Sequence, residues 1–114
     1  MTTTELLTWA DFEKVDIRTG TVIAAEPFPQ ARKPAYILTI DFGDLGTKRS
    51  SAQLTKLYQP DELVGKQVVA VVNFPPKQIA TFMSECLILG AVSDDGTVTL
   101  LQTERVTENG VPIA

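Results

Sequence analysis

Few side chains in this 114-residue sequence are suited to catalysis, because histidine is absent and cysteine occurs once, at Cys86. Without histidine the commonest general base is missing, and one cysteine excludes most zinc sites and the usual Cys/His or Ser/His/Asp nucleophiles. The seven glycines are scattered singly, so no phosphate-binding loop is formed. The sequence therefore predicts a protein that is not an enzyme and uses no metal and no cofactor. Six carboxylates lie in segments that resemble turns, but they do not have the spacing of a calcium-binding loop: Asp41, Asp44, Asp61, Glu62, Asp94 and Asp95.

The residues best suited to binding lie between two apolar runs, in the stretch 68–89 that reads VVAVVNFPPKQIATFMSECLIL. Its central segment, Asn73-Phe74-Pro75-Pro76, is unsuited to the interior of a strand or a helix, because two prolines remove two backbone donors. One interpretation is a binding role for this segment, and the alternative is a rigid connection that covers one end of the fold. For Asn73, the alternative to a ligand contact is a turn in which its side chain bonds nearby backbone.

Short strands must position these side chains. A helix is predicted to begin after Thr8, with Asp11 completing a capping box and with Trp9, Phe12 and Leu6 as buried anchors. The first strand is expected to carry a bulge or a strong bend around Gly20. The pattern predicts strands at 16–26, 35–41, 47–52, 67–72, 86–92 and 97–102, and helical turns at 55–58 and 60–63.

Several short, bent strands without repeated βα units favour an all-β fold. The predicted architecture is a five-stranded closed β-barrel of the oligonucleotide/oligosaccharide-binding (OB) type with short helical additions. The length and the 44% hydrophobic content fit a single core, so residues 1–114 are expected to form one domain.

Five short motifs along the chain resemble, in their order, the CsaA family of export-related chaperones, whose fold is related to tRNA-binding OB domains. The resemblance covers nearly the whole chain. It implies a homodimer that binds unfolded or signal-bearing precursor polypeptides, with the export ATPase as a candidate partner. Apolar residues near both ends, such as Leu6, Leu7, Val111 and Ile113, are compatible with a dimer. The motifs are FEKVDIRTG at 12–20, ARKPAY at 31–36, KRSSAQ at 48–53, NFPP at 73–76 and MSE at 83–85.

The wider tRNA-binding family implies an alternative function, tRNA binding by the same fold. Its pattern tends to have arginine and glycine where this chain has Ala80 and Thr81, and glycine and methionine where it has Cys86 and Leu87. Loss of an arginine removes phosphate contacts, and the net charge of −4 does not replace them. Residues 30–77 nevertheless carry seven bases against four acids, which leaves room for a local basic face.

The side chains of the candidate binding residues suit an extended peptide, because rigid and adaptable apolar groups lie among hydrogen-bond donors and acceptors. Ile79, Phe82 and Met83 have an alternative role as one helical turn packed on the barrel or in a dimer interface. For residues 48–51 the alternative is a charged edge strand, and Cys86 is read as a small buried hydrophobe. The candidate binding residues are Arg49, Ser50, Ser51, Gln53, Asn73, Phe74, Pro75, Pro76, Lys77, Ile79, Phe82, Met83, Ser84 and Glu85.

Location is predicted from the same features. No N-terminal stretch combines a basic region with an apolar run, and the single cysteine does not indicate an oxidising compartment. The longest apolar run, 68–72, is too short to insert into a membrane. We therefore expect a cytoplasmic protein.

Overall fold

The computed structural model describes residues 5–114, which form mainly antiparallel strands. The main sheet has five strands in the order β3-β2-β1-β4-β7, and β5-β6 and β8-β9 form two small hairpins. The five-stranded sheet is nearly closed into a barrel, which confirms the predicted OB-type fold. The elements are α1 (Trp9–Glu13), β1 (Ile17–Pro27), β2 (Tyr36–Asp41), a 3₁₀ turn (Gly43–Leu45), β3 (Thr47–Ala52), α2 (Pro60–Leu63), β4 (Gln67–Val71), β5 (Lys77–Ile79), β6 (Phe82–Ser84), β7 (Leu87–Ile88), β8 (Gly90–Val92) and β9 (Val98–Leu100).

Strand β1 bends the sheet because it pairs with different neighbours along its length. Residues 17–21 pair with β4, and residues 21–27 pair with β2. The register shift lies between Val22 and Ala24, so the expected bulge occurs two residues beyond Gly20. Glycine is required at position 20 for a different reason: a Cβ there would lie 2.6 Å from Ile40 Cγ2 and 2.8 Å from the Phe42 ring. Gly20 therefore lets β1 approach the core closely.

The barrel core is built from alternate residues of β2. Tyr36, Leu38 and Ile40 are buried, whereas the intervening residues are only partly buried, as the two-residue period of a strand requires. Phe42 and Leu63, both fully buried, extend the same cluster. A second cluster on the outer side joins Phe28, Ala35 and Phe82 to partly buried Ala31, Ile37 and Ile79.

Strand β3 meets residues 84 and 85 through separate hydrogen bonds, two of them to side chains, instead of a continuous strand ladder. The amide of Arg49 donates to Glu85 Oε1 at 2.9 Å, and the amide of Ser51 donates to Ser84 Oγ at 3.1 Å. The amide of Glu85 donates to the carbonyl oxygen of Arg49 at 2.8 Å. These bonds satisfy donors of β3 that would otherwise be free to pair with another chain. The polar side chains of residues 84 and 85 thus protect this edge of β3 from pairing with another chain.

Residues 77–84 form a hairpin, which contradicts the helical alternative for Ile79, Phe82 and Met83. Strands β5 and β6 pair Ile79 with Phe82 and Gln78 with Met83 across a two-residue turn at Ala80 and Thr81. Such a turn brings residues i and i+3 side by side, as a helical turn does, so the spacing fitted both structures. Ala80 has φ of 53°, a left-handed conformation that favours glycine.

The first helix is capped as predicted but is not buried as predicted. Thr8 and Asp11 form the capping box, with the Asp11 amide 3.1 Å from Thr8 Oγ1. Trp9 is 85% exposed and Leu6 is 95% exposed, so the expectation that they anchor the helix within this chain is wrong. The reason is that α1 has only five residues and buries none of them.

The C-terminal part of the chain forms shorter strands than the pattern predicted, and its last residues bond to β1. The predicted strand 86–92 is divided at Leu89 into β7 and β8, and the predicted strand 97–102 is reduced to β9. Residues 110–113 bond the first half of β1: the Ile113 amide donates to the Ile17 carbonyl at 2.9 Å. No helix among residues 5–114 is long and apolar enough to cross a membrane.

Candidate binding site

A cavity of about 460 Å³ opens between the segment that follows β4, the β5-β6 hairpin and the end of β3. Its volume lies within the range of small-ligand pockets. Phe74 is 54% exposed and Leu87 is 48% exposed, so two large apolar side chains of its lining remain in contact with solvent. The lining residues are Ser51, Gln53, Phe74, Pro75, Lys77, Ile79, Ser84, Cys86 and Leu87.

Asn73 fixes the start of the proline segment. Its Nδ2 donates to the carbonyl oxygen of Lys14 at 2.6 Å, and its Oδ1 accepts from the amide of Asp16 at 3.0 Å. Both partners lie more than 50 residues earlier in the chain. Asn73 therefore does not form the predicted local turn, and its amide is engaged in holding Phe74 and Pro75 against the barrel.

The hairpin supplies the opposite wall. Ile79 and Phe82 form one cross-strand pair and so share a face, whereas Met83 pairs with Gln78 on the other face. Phe82 is buried, and its ring lies edge-on to that of Phe28 at 5.5 Å between centroids. Met83 is 47% exposed and points away from the cavity side of the hairpin.

Arg49 holds the hairpin to β3. Its guanidinium lies 4.9 Å from the centroid of the Phe82 ring, and its Nη2 is 3.4 Å from Glu26 Oε1. A cation over an aromatic face contributes about 0.5–1 kcal/mol, and an exposed ion pair contributes about 0.2–1 kcal/mol. In this structure the positive charge of Arg49 is engaged by Phe82 and Glu26.

Cys86 lies at the floor of the cavity and is not a nucleophile. Burial raises the pKa of its thiol to about 11, although a hydrogen bond with Ser50 acts in the opposite direction. A thiol with so high a pKa is almost fully protonated near neutral pH and reacts slowly. This agrees with the prediction that Cys86 is a small buried hydrophobe. Ser50 is itself buried, and its hydroxyl donates to the Cys86 carbonyl at 3.0 Å.

The structure brings together half of the predicted site residues. Seven of the fourteen line the cavity: Ser51, Gln53, Phe74, Pro75, Lys77, Ile79 and Ser84. Arg49, Ser50, Phe82 and Glu85 support its walls through the contacts above, Asn73 anchors the segment, and Pro76 is exposed beside it. The role of the lining residues in binding stays a prediction.

The sequence reasoning missed two lining residues, Cys86 and Leu87. Residues 86–89 are all apolar, so alternation could not show which side chain faces outward. Within residues 5–114 no group of three or more histidine, cysteine, aspartate or glutamate side chains is arranged to hold a metal ion.

A second cavity, of about 760 Å³, lies between α1 and the C-terminal residues. Trp9, Phe12, Pro112, Ile113 and Ala114 contribute its apolar surface. Trp9 and Leu7, 85% and 71% exposed, extend this surface beyond the cavity. An apolar surface of this kind is typical of protein interfaces.

Comparison with known proteins gives three kinds of match. The sequence profile of the tRNA-binding domain family matches residues 17–112. Structures described as the chaperone CsaA from Bacillus anthracis str. Ames and from Picrophilus torridus are each 53% identical to the chain, with TM-scores of 0.93 and 0.89, and cover 96% of it and 100% of their own chains. A methionine–tRNA ligase of Methanococcoides burtonii is 34% identical over 109 residues, which are 96% of this chain but 16% of the ligase.

Proposed function

Because the chain belongs to the tRNA-binding domain family and is of its CsaA type, we propose that it binds unfolded or signal-bearing polypeptides without catalysis and assists protein export. The observation that carries the proposal is the cavity with exposed Phe74 and Leu87 beside rigid Pro75. When an apolar partner covers solvent-exposed apolar side chains, their removal from water lowers the free energy of the complex. An export role would place the protein in the cytoplasm beside an export ATPase.

The proposal includes a homodimer. Leu6, Leu7 and Trp9 are strongly exposed, and Leu7 and Trp9 form an apolar surface together with Phe12 and Ala114. A second copy that packs its own Trp9 against this surface would bury the side chains that α1 leaves in water.

The second candidate function is tRNA binding, which the family match favours. Several lysine and arginine side chains of residues 30–77 are exposed, including Arg32, Lys33 and Lys77. Arg49, in the middle of β3, forms an ion pair with Glu26, so its guanidinium is less available to bind a phosphate group. The net charge of −4 opposes long-range attraction of a polyanion.

A titration at two salt concentrations separates the two functions. Labelled tRNA and a labelled precursor-derived peptide are each titrated with the protein at 50 and at 200 mM salt, concentrations between which phosphate-led binding weakens roughly 10³-fold or more. We expect saturable peptide binding that changes little, because apolar contacts lead it. No saturable peptide binding at either salt would refute the chaperone proposal, and tight, salt-sensitive tRNA binding would favour the second function.

A further inference from the structure

Lys77 carries the only charge among the described residues that line the cavity. Its ammonium group has no ion pair and no hydrogen bond within residues 5–114, whereas the nearby Arg49 guanidinium is paired with Glu26. Lys77 follows directly on Pro76 and shares a hairpin face with Ile79, so its stem lies along the apolar wall. An unpaired cation therefore stands beside an apolar cavity.

The backbone around this cavity offers few donors to an anionic ligand. Pro75 and Pro76 have no amide hydrogen, and the amides of Ser51 and Arg49 already donate to Ser84 and Glu85. Capture of a terminal carboxylate ordinarily uses a cluster of free backbone amides. The wall formed by these four residues lacks such a cluster, which leaves the flexible Lys77 side chain as the one positive charge of the described lining that can meet an anion.

We propose that this site, given the peptide-binding function proposed above, selects extended segments that carry an aspartate or glutamate two positions from a large apolar residue. The apolar side chain occupies the cavity against Phe74 and Leu87, and the acidic side chain pairs with Lys77. Residues i and i+2 of an extended chain point to the same side, about 7 Å apart, a distance that a lysine side chain spans. The acidic group thus specifies which apolar segments bind.

The test uses three labelled, C-terminally amidated peptides that differ at one position, with glutamate, glutamine or lysine two residues from a leucine. Each is titrated with wild-type protein, with Lys77→Gln and with Lys33→Gln, a matched change of an exposed lysine that does not line the cavity. Because an exposed ion pair between Lys77 and the glutamate contributes little free energy, the glutamate peptide should bind wild-type protein only about two- to fivefold more tightly than the glutamine peptide. This preference should shrink at high salt, vanish in Lys77→Gln and persist in Lys33→Gln.

Equal binding of the glutamate and glutamine peptides to wild-type protein, or a preference that survives Lys77→Gln, would overturn the inference. A fourth probe is the glutamine peptide with a free C-terminal carboxylate. Relative to the amidated glutamine peptide, its affinity should rise less than that of the glutamate peptide. An equal or larger rise in affinity would assign Lys77 to the binding of chain termini and refute the pairing with an acidic side chain. If none of the peptides binds at all, the peptide-binding function itself fails. Far-ultraviolet circular dichroism of both variants verifies that they remain folded.

Discussion

Replacing Phe74 with alanine should weaken peptide binding far more than it weakens the fold. Phe74 is 54% exposed, so about 100 Å² of a side chain of roughly 200 Å² is still available to a ligand. At about 25 cal/mol per Å² its complete burial by a peptide is worth about 2.5 kcal/mol, and its removal should cost nearly that amount. We expect binding to weaken about thirtyfold, for a loss of about 2 kcal/mol.

The assay is fluorescence anisotropy of a labelled precursor-derived peptide, with urea unfolding of each variant as a measure of stability. Leu45→Ala is the matched control, because Leu45 is 43% exposed but lies in the turn before β3, and about 13 Å of strand separates the start of β3 at Thr47 from Ser51. Leu45→Ala should bind as the wild type does. A folded Phe74→Ala protein that binds within twofold of the wild type, or a Leu45→Ala protein that is equally impaired, would refute the assignment of binding to this cavity.

Three further predictions concern the thiol, the hairpin turn and the helix. Burial raises the pKa of the Cys86 thiol from 9.0 to about 11, so the unfolded state loses this proton first and up to about 3 kcal/mol of stability should be lost as pH rises from 9 to 11. Urea unfolding of wild type and Cys86→Ala across this range measures the loss. Ala80→Gly should stabilise the protein by up to about 1 kcal/mol, because glycine adopts φ of 53° without strain, and thermal unfolding tests this. Trp9 is the only tryptophan, so its emission should shift to shorter wavelength as protein concentration rises and the dimer buries it.

Each of these has an outcome that contradicts it. An identical loss of stability between pH 9 and 11 in Cys86→Ala would show that other groups cause the pH dependence. A lower unfolding temperature for Ala80→Gly would mean that chain entropy outweighs the strain at this turn. Tryptophan emission that is unchanged from nanomolar to high micromolar concentration, together with a monomer mass by light scattering, would exclude the proposed dimer surface.

The sequence alone determined the elements whose signals are local. The capping box of Thr8 and Asp11, the alternation along residues 36–41 and the return strand 47–52 depend on near neighbours, and the structure confirms them. The two prolines also indicated an irregular segment, because their missing amides and fixed φ are unsuited to the interior of a helix or of a central strand. The chaperone-like family was recognisable from short motifs that lie in order along the chain.

Only the tertiary structure decided how the candidate site is assembled. Ile79 and Phe82 satisfy both a helical turn and a two-residue hairpin, and packing against Phe28 and Ala35 accompanies the hairpin. Asn73 bonds the backbone at Lys14 and Asp16, a contact across more than 50 residues that no local pattern contains. In the same way, the side-chain closure of β3 by residues 84 and 85 arises from contacts distant in sequence. Local chemistry therefore set the strands with a regular pattern, such as β2 and β3, and the break at the two prolines, whereas long-range contacts placed Phe74 and Lys77 around one cavity.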